Sequence, residues 1–207
     1  MTDSVAGIQA SKKRIRREMR LRRLNLGPYA QRRAARALYR RLVTSPLFRF
    51  SRTIAFTIAR DGEIDTRLLV EEAWRRGKRC FLPVMSRFGQ TRLTFRQWSQ
   101  NSRLRNRRYN IPEPALGKPC PPATLGLVLF PLVAFDVNAN RLGMGKGYYD
   151  HTFAFKRRST RNRPALVGLA HECQKTDSLP VTSWDVPLEG IVTDQQWYHA
   201  PTPEIPA

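Results

Sequence analysis

The stretch LGLVLFPLVAFDVNANRLGMGKGYYD, residues 125–150, decides the reading of this chain. Its first eleven residues, Leu125 to Phe135, are almost wholly apolar and predict a buried central strand. Asn138-Ala-Asn140 then marks a turn. Gly143, Gly145 and Gly147 follow at alternate positions, before a helix expected from about Tyr148 to Arg157. Strand, glycine loop and helix in that order form the local unit of an α/β sheet. Glycine lets a backbone take positive φ and approach a ligand closely. A helix start favours phosphate through its unpaired N–H groups and positive dipole end. Arg141 and Lys146 bracket the loop with two cations. The spacing is not that of a GxGxxG fingerprint, and no Lys-Ser or Lys-Thr pair closes a Walker loop. The glycines alone would equally suit a tight turn. Arg141, Lys146, Tyr148, Tyr149 and Asp150 in the same decapeptide favour a binding loop.

Working outward, residues 11–25 predict a helix on which Lys12, Arg16, Arg20 and Arg23 share one face, with Ile15 and Met19 forming a neighbouring apolar stripe. Gly27-Pro28 starts a second helix, which buries Ala34, Ala35, Leu38 and Leu42 and stops before Pro46. TIAFTI (53–58) reads as a buried strand. The loop Arg60-Asp61-Gly62-Glu63 follows it, and then a helix capped by Asp65 and ended at Gly77. RCFLPV (79–84) and TRLTFR (91–96) read as strands joined by a turn at Gly89. Residues 103–122 read as an extended surface loop, and PALVGLA (164–170) and GIVTD (190–194) as two more strands. The alternation argues for helices covering a mostly parallel sheet in one domain spanning 1–207, with 1–10 and 197–207 as flexible tails.

Composition narrows the function. The chain has 207 residues, enough for one well-buried core. No apolar run reaches the ~20 residues of a membrane helix, and the N-terminus lacks the apolar core of a secretory signal. Cys80, Cys120 and Cys173 show no CxxC spacing, so neither a disulfide framework nor a zinc site is indicated, and a reducing cytoplasm is the expected compartment. The net charge is +21. Thirteen of the Lys and Arg residues lie in 1–45 against only Asp3 and Glu18. Such a balance suits polyanions: nucleic acid, a polyphosphate or a polyglutamylated ligand.

The segment FPLVAFDVNANRLGMGKGYYD resembles the signature of the 5-formyltetrahydrofolate cyclo-ligase family. The resemblance extends over roughly residues 11–194 through Lys12 and Arg16, GEIDT (62–66), YNIPEP (109–114), GLAHECQ (168–174) and LPVTSWDVPLEGIVTD (179–194). It implies a three-layer αβα domain; a monomer is the expected state. It also implies ATP- and Mg²⁺-dependent conversion of 5-formyltetrahydrofolate to 5,10-methenyltetrahydrofolate, with release of ADP and phosphate. Position by position, it places Lys12, Arg16 and the loop Arg141, Leu142, Gly143, Met144, Gly145, Lys146, Gly147, Tyr148 and Tyr149 at ATP. Ile58, Glu63 and Tyr109 fall at the folate, joined there by Met144, Gly145, Lys146, Gly147 and Tyr148. Asp150 and Asp185 match the magnesium carboxylates; Lys146, Arg141 and Tyr148 are the expected catalytic groups. Met144 stands where family members often carry Arg or another polar residue.

Two other readings compete. An RNA-binding protein on the same scaffold would use the Arg-rich first helix and the Arg103–Arg108 loop, although no RRM, KH or cold-shock signature is present. A sugar-phosphate isomerase would rest on fold analogy alone.

Overall fold

Alternation of side chains along the central strands sorts apolar residues onto two faces of one sheet. Ile54, Leu127, Leu129, Val167 and Leu169 line one buried cluster; Ala55, Val128, Phe130, Leu166 and Ile191 line the other. A sheet buried on both faces needs a covering layer on each side, and that requirement sets the architecture. It is seen in a computed structural model that describes residues 5–86, 91–157 and 163–201.

Three helices open the chain: α1 (Val5–Leu24), α2 (Pro28–Thr44) and α3 (Pro46–Phe50). Strand β1 (Thr53–Ala55) leads to α4 (Arg67–Arg75), then to β2 (Arg79–Met85) and β3 (Leu93–Trp98). A small hairpin pairs β4 (Leu104–Asn106) with β5 (Pro112–Pro114), and β6 (Pro119–Cys120) borders β3. β7 (Leu127–Pro131) is central; β8 (Ala134–Phe135) and β9 (Arg141–Leu142) pair with each other. After α5 (Tyr148–Thr152) come β10 (Ala165–Leu169), β11 (Gly190–Val192) and β12 (Trp197–His199). The main sheet runs β12-β11-β10-β7-β1-β2-β3-β6, with β2, β1, β7, β10 and β11 parallel and the outer strands antiparallel. α2, α3 and α4 cover one face, through Leu38, Leu42, Phe48, Leu69 and Ala73. The other layer is built from α5 and loops, through Phe153, Val186 and Leu188.

From β1 the chain steps one way to β2 and later returns on the opposite side as β7. The crevice outside the ends of β1 and β7 is therefore the topological switch point, where open α/β sheets place their ligands. Helix α1 lies across it. Its Lys12, Met19 and Arg23 are buried and Arg16 is half-buried, while Lys13, Arg14, Arg17 and Arg22 are exposed. The cationic stripe expected from spacing is thus turned into the protein. Met19 packs with Val133, Ala134, Leu142 and Leu179, seating the helix on the β8–β9 hairpin.

Arg23 fixes this docking. Only 1% exposed, it donates from Nε to the Asp61 carbonyl at 2.8 Å and from Nη1 to the Leu132 carbonyl at 3.2 Å. Its Nη2 lies 3.6 Å from Glu63. One side chain therefore ties α1 to the loops leaving both switch-point strands. Gln31 of α2 adds bonds to the Arg23 and Gly62 carbonyls.

Several boundaries differ from expectation, each for a local reason. The long strand 125–135 breaks after Pro131, and its last residues turn away to pair with β9. The first strand closes at Ala55, and the Thr57 carbonyl then accepts the Thr66 hydroxyl instead of a ladder bond. Asp65 does not cap α4; it accepts from the N–H and the side chain of Arg67, and Thr66 precedes the helix. The helix after the glycine loop is only Tyr148–Thr152, followed by a 3₁₀ turn at Ala154–Arg157. The loop 103–122 contains β4, β5 and β6. The expected tails also shrink: α1 begins at Val5, and Trp197–His199 pairs antiparallel with β11. The Gly89 turn and residues 1–4 and 202–207 lie outside the described residues.

Arg23 and its neighbour Arg22, which pairs on the surface with Glu18 at 2.6 Å, should respond very differently to substitution. Arg23→Ala removes the counter-charge of Glu63 and a donor from each of the Asp61 and Leu132 carbonyls, and is expected to cost about 3 kcal/mol in a urea unfolding titration. Arg22→Gln should cost no more than about 0.5 kcal/mol. Equal midpoints for the two variants would show that α1 docks without Arg23.

Candidate functional site

The glycine loop leaves β9 between α1 and α5. Gly145 has φ of +93° and Gly147 of +66°, so both occupy conformations open mainly to glycine. At Gly145 a Cβ would also stand 3.2 Å from the Arg16 guanidinium. Arg16 donates from Nε to the Gly143 carbonyl at 2.8 Å, and burial pushes its pKa down. The first helix and the loop thus meet through a cation laid over a glycine. One turn earlier on the same face, Lys12 is 8% exposed and makes no hydrogen bond or ion pair among the described residues. Its stem is packed against the protein while its ammonium is free to meet an anion.

Asp150 lies in the first turn of α5. Its Oδ1 accepts from Arg141 at 2.6 Å and from the Val186 N–H at 3.2 Å. The second of these bonds brings the Asp185 segment alongside. Asp185 folds back on its own turn, its Oδ2 accepting from the Thr182 N–H and hydroxyl at 2.8 and 2.7 Å. Among the described residues, each carboxylate keeps its other oxygen without a protein donor. A cleft of about 100 Å³ opens beside Asp185, lined by Ala139, Asn140, Arg141, Val181, Val186 and Pro187. Arg141 is nearly buried, its guanidinium 5.1 Å from the Phe130 ring centroid.

Glu63 faces the crevice from the other side. Its Oε2 accepts from the Arg60 N–H at 3.2 Å, and burial pushes its pKa up against the opposing pull of Arg23. Arg60 donates to the Tyr109 carbonyl at 2.6 Å, joining the β4–β5 hairpin to the same rim. Ile58, in the chain between β1 and Glu63, is partly buried against the core.

The structure therefore joins Arg16 to the glycine loop and Arg141 to Asp150 and the Asp185 segment, and places Ile58, Glu63 and Tyr109 on the β1 side. Leu142 is buried beneath the loop in the cluster around Met19. Met144, Gly145 and Lys146 are exposed, while Gly143, Gly147 and Tyr148 are half-buried. Tyr149 serves the core: its ring lies 4.4 Å from that of Phe130, and burial pushes its phenol pKa up. With only five residues, α5 carries little dipole for phosphate. What the loop offers an anion is its own backbone and the cations around it.

Sequence reasoning misses the supports. Asp136 is 2% exposed and accepts from the N–H groups of Asn138, Asn140 and Leu179 and from the Asn140 amide. Those bonds hold the turn that feeds β9 and the loop. Asp followed two residues later by Asn is the available signal, since Asx side chains bond locally to backbone. Arg23 reads as one more cation of the basic run that includes Arg22, although it shares the buried face of Met19. His171 is buried, with Nε2 3.2 Å from the Gly62 carbonyl, and belongs to the same frame.

Residues 8–194 match the model of the 5-formyltetrahydrofolate cyclo-ligase family. The chain belongs to that family. The Escherichia coli (strain K12) 5-formyltetrahydrofolate cyclo-ligase is 39% identical over 177 residues, covering 84% of this chain and 96% of its own. The Haemophilus influenzae enzyme of that name is 34% identical, over 87% of this chain and 96% of its own. The NMR structure of Aquifex aeolicus 5,10-methenyltetrahydrofolate synthetase has a TM-score of 0.79 at 27% identity, covering 95% and 96% of the two chains. Cyclo-ligase membership makes the chain an ATP-dependent ligase of one-carbon folate chemistry. It sets aside the isomerase reading, and RNA binding as the primary activity.

Gly145→Val tests the loop. The branched side chain opposes φ of +93° and displaces Arg16. ATP binding measured by calorimetry is expected to vanish, while the thermal midpoint falls only modestly because the strain is confined to an exposed loop position. Unchanged ATP affinity would reduce the loop to a plain turn.

Proposed function

We propose that this chain converts 5-formyltetrahydrofolate and ATP to 5,10-methenyltetrahydrofolate, ADP and phosphate in the switch-point crevice, with the residue roles that follow. The observation that carries these roles is the buried, uncompensated Lys12 one turn from Arg16, which itself clasps the glycine loop. Two cations from one helix face and a glycine backbone in positive φ form a cradle for a polyphosphate.

The formyl oxygen attacks the γ-phosphorus, the bond to the β-phosphate oxygen breaks, and ADP leaves. N10 then adds to the activated formyl carbon and loses its proton as the ring closes. The C–O bond breaks and phosphate departs. Phosphoryl transfer of this type needs alignment and charge neutralisation more than a covalent protein group. Lys12 and Arg16 neutralise phosphate oxygens, Lys146 reaches in from the exposed loop, and Arg141 holds Asp150 in place. Glu63 accepts from N–H groups of the pterin, with Ile58, Tyr109 and Tyr148 flanking the folate. Exposed Met144 meets whichever substrate crosses the loop.

The residues fit Mg²⁺. Asp150 and Asp185 each present one oxygen without a protein donor among the described residues, and one or two carboxylates plus substrate phosphates are the usual holders of this ion. Among the described residues no group of three or more His, Cys, Asp or Glu gathers as an all-protein cage. Bound there, Mg²⁺ would supply charge neutralisation at the phosphates. The same proposal takes the chain as a cytoplasmic monomer; among the described residues, no helix is long and apolar enough to cross a membrane.

Product formation, followed by near-ultraviolet absorbance, should require both ATP and a divalent cation; a folded, ATP-binding protein that makes no methenyl product would end the proposal. Asp150→Asn keeps an acceptor for Arg141 but removes the charge, and turnover should fall about a hundredfold. A fall of less than about threefold would free Asp150 of a metal role, since that is under about 1 kcal/mol.

Lys12 and Lys13 provide an internal comparison, one buried and one exposed on the same helix. Lys12→Ala should raise the ATP KM about tenfold or more, the worth of a charge-assisted hydrogen bond, and Lys13→Ala less than about twofold. Equal effects would mean that α1 acts only as a diffuse attractor.

A further inference from the structure

The cations that turn inward on α1 belong to the reaction, but those that point outward on α2 do not. Helix α2, PYAQRRAARALYRRLVT, contains five arginines and no acidic residue. Arg41 is used internally, donating to the carbonyls of Asp194 and Gln195. Arg32, Arg33, Arg36 and Arg40 are exposed, and among the described residues none has a side-chain hydrogen bond or ion pair. Together with Tyr29 and Ala37 they line a groove of about 230 Å³. Tyr29 is 74% exposed.

A solvated helix face ordinarily mixes signs, because an acid four residues from a base stabilises it and like charges at that spacing destabilise it. Arg32, Arg36 and Arg40 stand at successive steps of four, each about 6 Å along the axis. The face therefore carries repulsion that an anionic chain laid along it would relieve. Its cations are all arginine, whose planar fork suits phosphate better than a lysine point charge does. An exposed aromatic at the head of the groove supplies a stacking platform for an unpaired base. Apart from Tyr29 the groove offers no large apolar side chain, so it lacks what a membrane-lying helix needs.

We propose that the outer face of α2, Tyr29 with Arg32, Arg33, Arg36 and Arg40, is a docking surface for single-stranded nucleic acid, separate from the crevice where the folate reaction occurs. The arginines take consecutive phosphates and Tyr29 stacks a base. Sequence spacing points to α1 and the Arg103–Arg108 loop for this role, but the α1 stripe is buried against the protein, whereas α2 presents a continuous row of cations to solvent.

The test uses the full chain and a fluorescently labelled single-stranded RNA oligonucleotide, read by anisotropy between about 50 and 200 mM salt. The four-fold variant Arg32→Gln, Arg33→Gln, Arg36→Gln, Arg40→Gln should lower the slope of log affinity against log salt by about 3, at about 0.7 for each phosphate that is no longer neutralised. Cyclo-ligase kcat and KM should be unchanged, which also shows that the variant is folded. The corresponding Arg→Lys variant should keep most of the slope. Tyr29→Ala should weaken single-strand binding about tenfold and leave duplex binding unchanged. An unchanged slope in the Gln variant would overturn the proposal. So would tighter binding to a duplex than to a single strand, or equal displacement of the RNA by polyglutamate at matched charge, which would make the face a docking site for acidic polypeptide.

Discussion

The guanidinium of Arg23 is the constraint on which the site depends. Among the described residues it is the charged group that touches the loop after β1, the loop after β7 and, through its own backbone, helix α1. Burial pushes its pKa down while Glu63 and Asp61 oppose the shift, but an arginine stays charged throughout. That permanence matters for geometry. A neutralisable group would let α1 lift from the crevice; Arg23 must remain paired wherever it is buried. Arg16 lies seven residues earlier, about 10 Å along a rigid helix. Fixing one end of that lever sets the height of Arg16 above Gly145 and the position of Lys12 beyond it.

Around this clamp the crevice is built with an excess of positive charge. Arg141 is matched by Asp150 and Arg23 by Glu63, but Lys12 has no protein partner among the described residues and Arg16 is held only by a carbonyl. The uncompensated part is of the sign that a polyphosphate would neutralise. Asp136, buried and satisfied by four donors, supplies rigidity on the loop side without adding free charge to the crevice. Preorganised cations cost stability when empty and need no reorganisation when an anion arrives.

Much of the fold is legible because its signals are local. Apolar runs at 53, 79, 125, 164 and 190 mark the five parallel strands, and Pro28 and Pro46 bracket α2 correctly. The residues of the candidate site are legible for the same reason, since Gly143 to Asp150 lie within one segment and Lys12 and Arg16 one turn apart. What cannot be read is long-range. Nothing local marks Arg23 as different from Arg22, because the difference is made by Asp61 and Leu132, 38 and 109 residues away. Pro131 hides the break between β7 and β8 inside a continuous apolar run, because hydropathy reports burial and not direction. Trp197–His199 looks like a tail, because a short edge strand depends on its partner, here β11.

The same distinction explains why composition misleads as to where the charge acts. A helix with cations on every face reads in sequence as a uniformly basic surface, yet docking through Met19 and Arg23 divides it into a buried face that serves the crevice and an exposed one. On α2 the division runs the other way: Leu38 and Leu42 face the sheet, and the arginines all lie outward or reach across to Asp194. The inward cations of α1 face the crevice, whereas Arg32, Arg33, Arg36 and Arg40 of α2 face solvent without a protein partner among the described residues. At physiological salt, interactions between exposed charges are screened beyond about 8 Å, so the outer arginines act mainly on what lies directly against them. Their repulsion is a separate cost, which an anionic partner on that face would relieve.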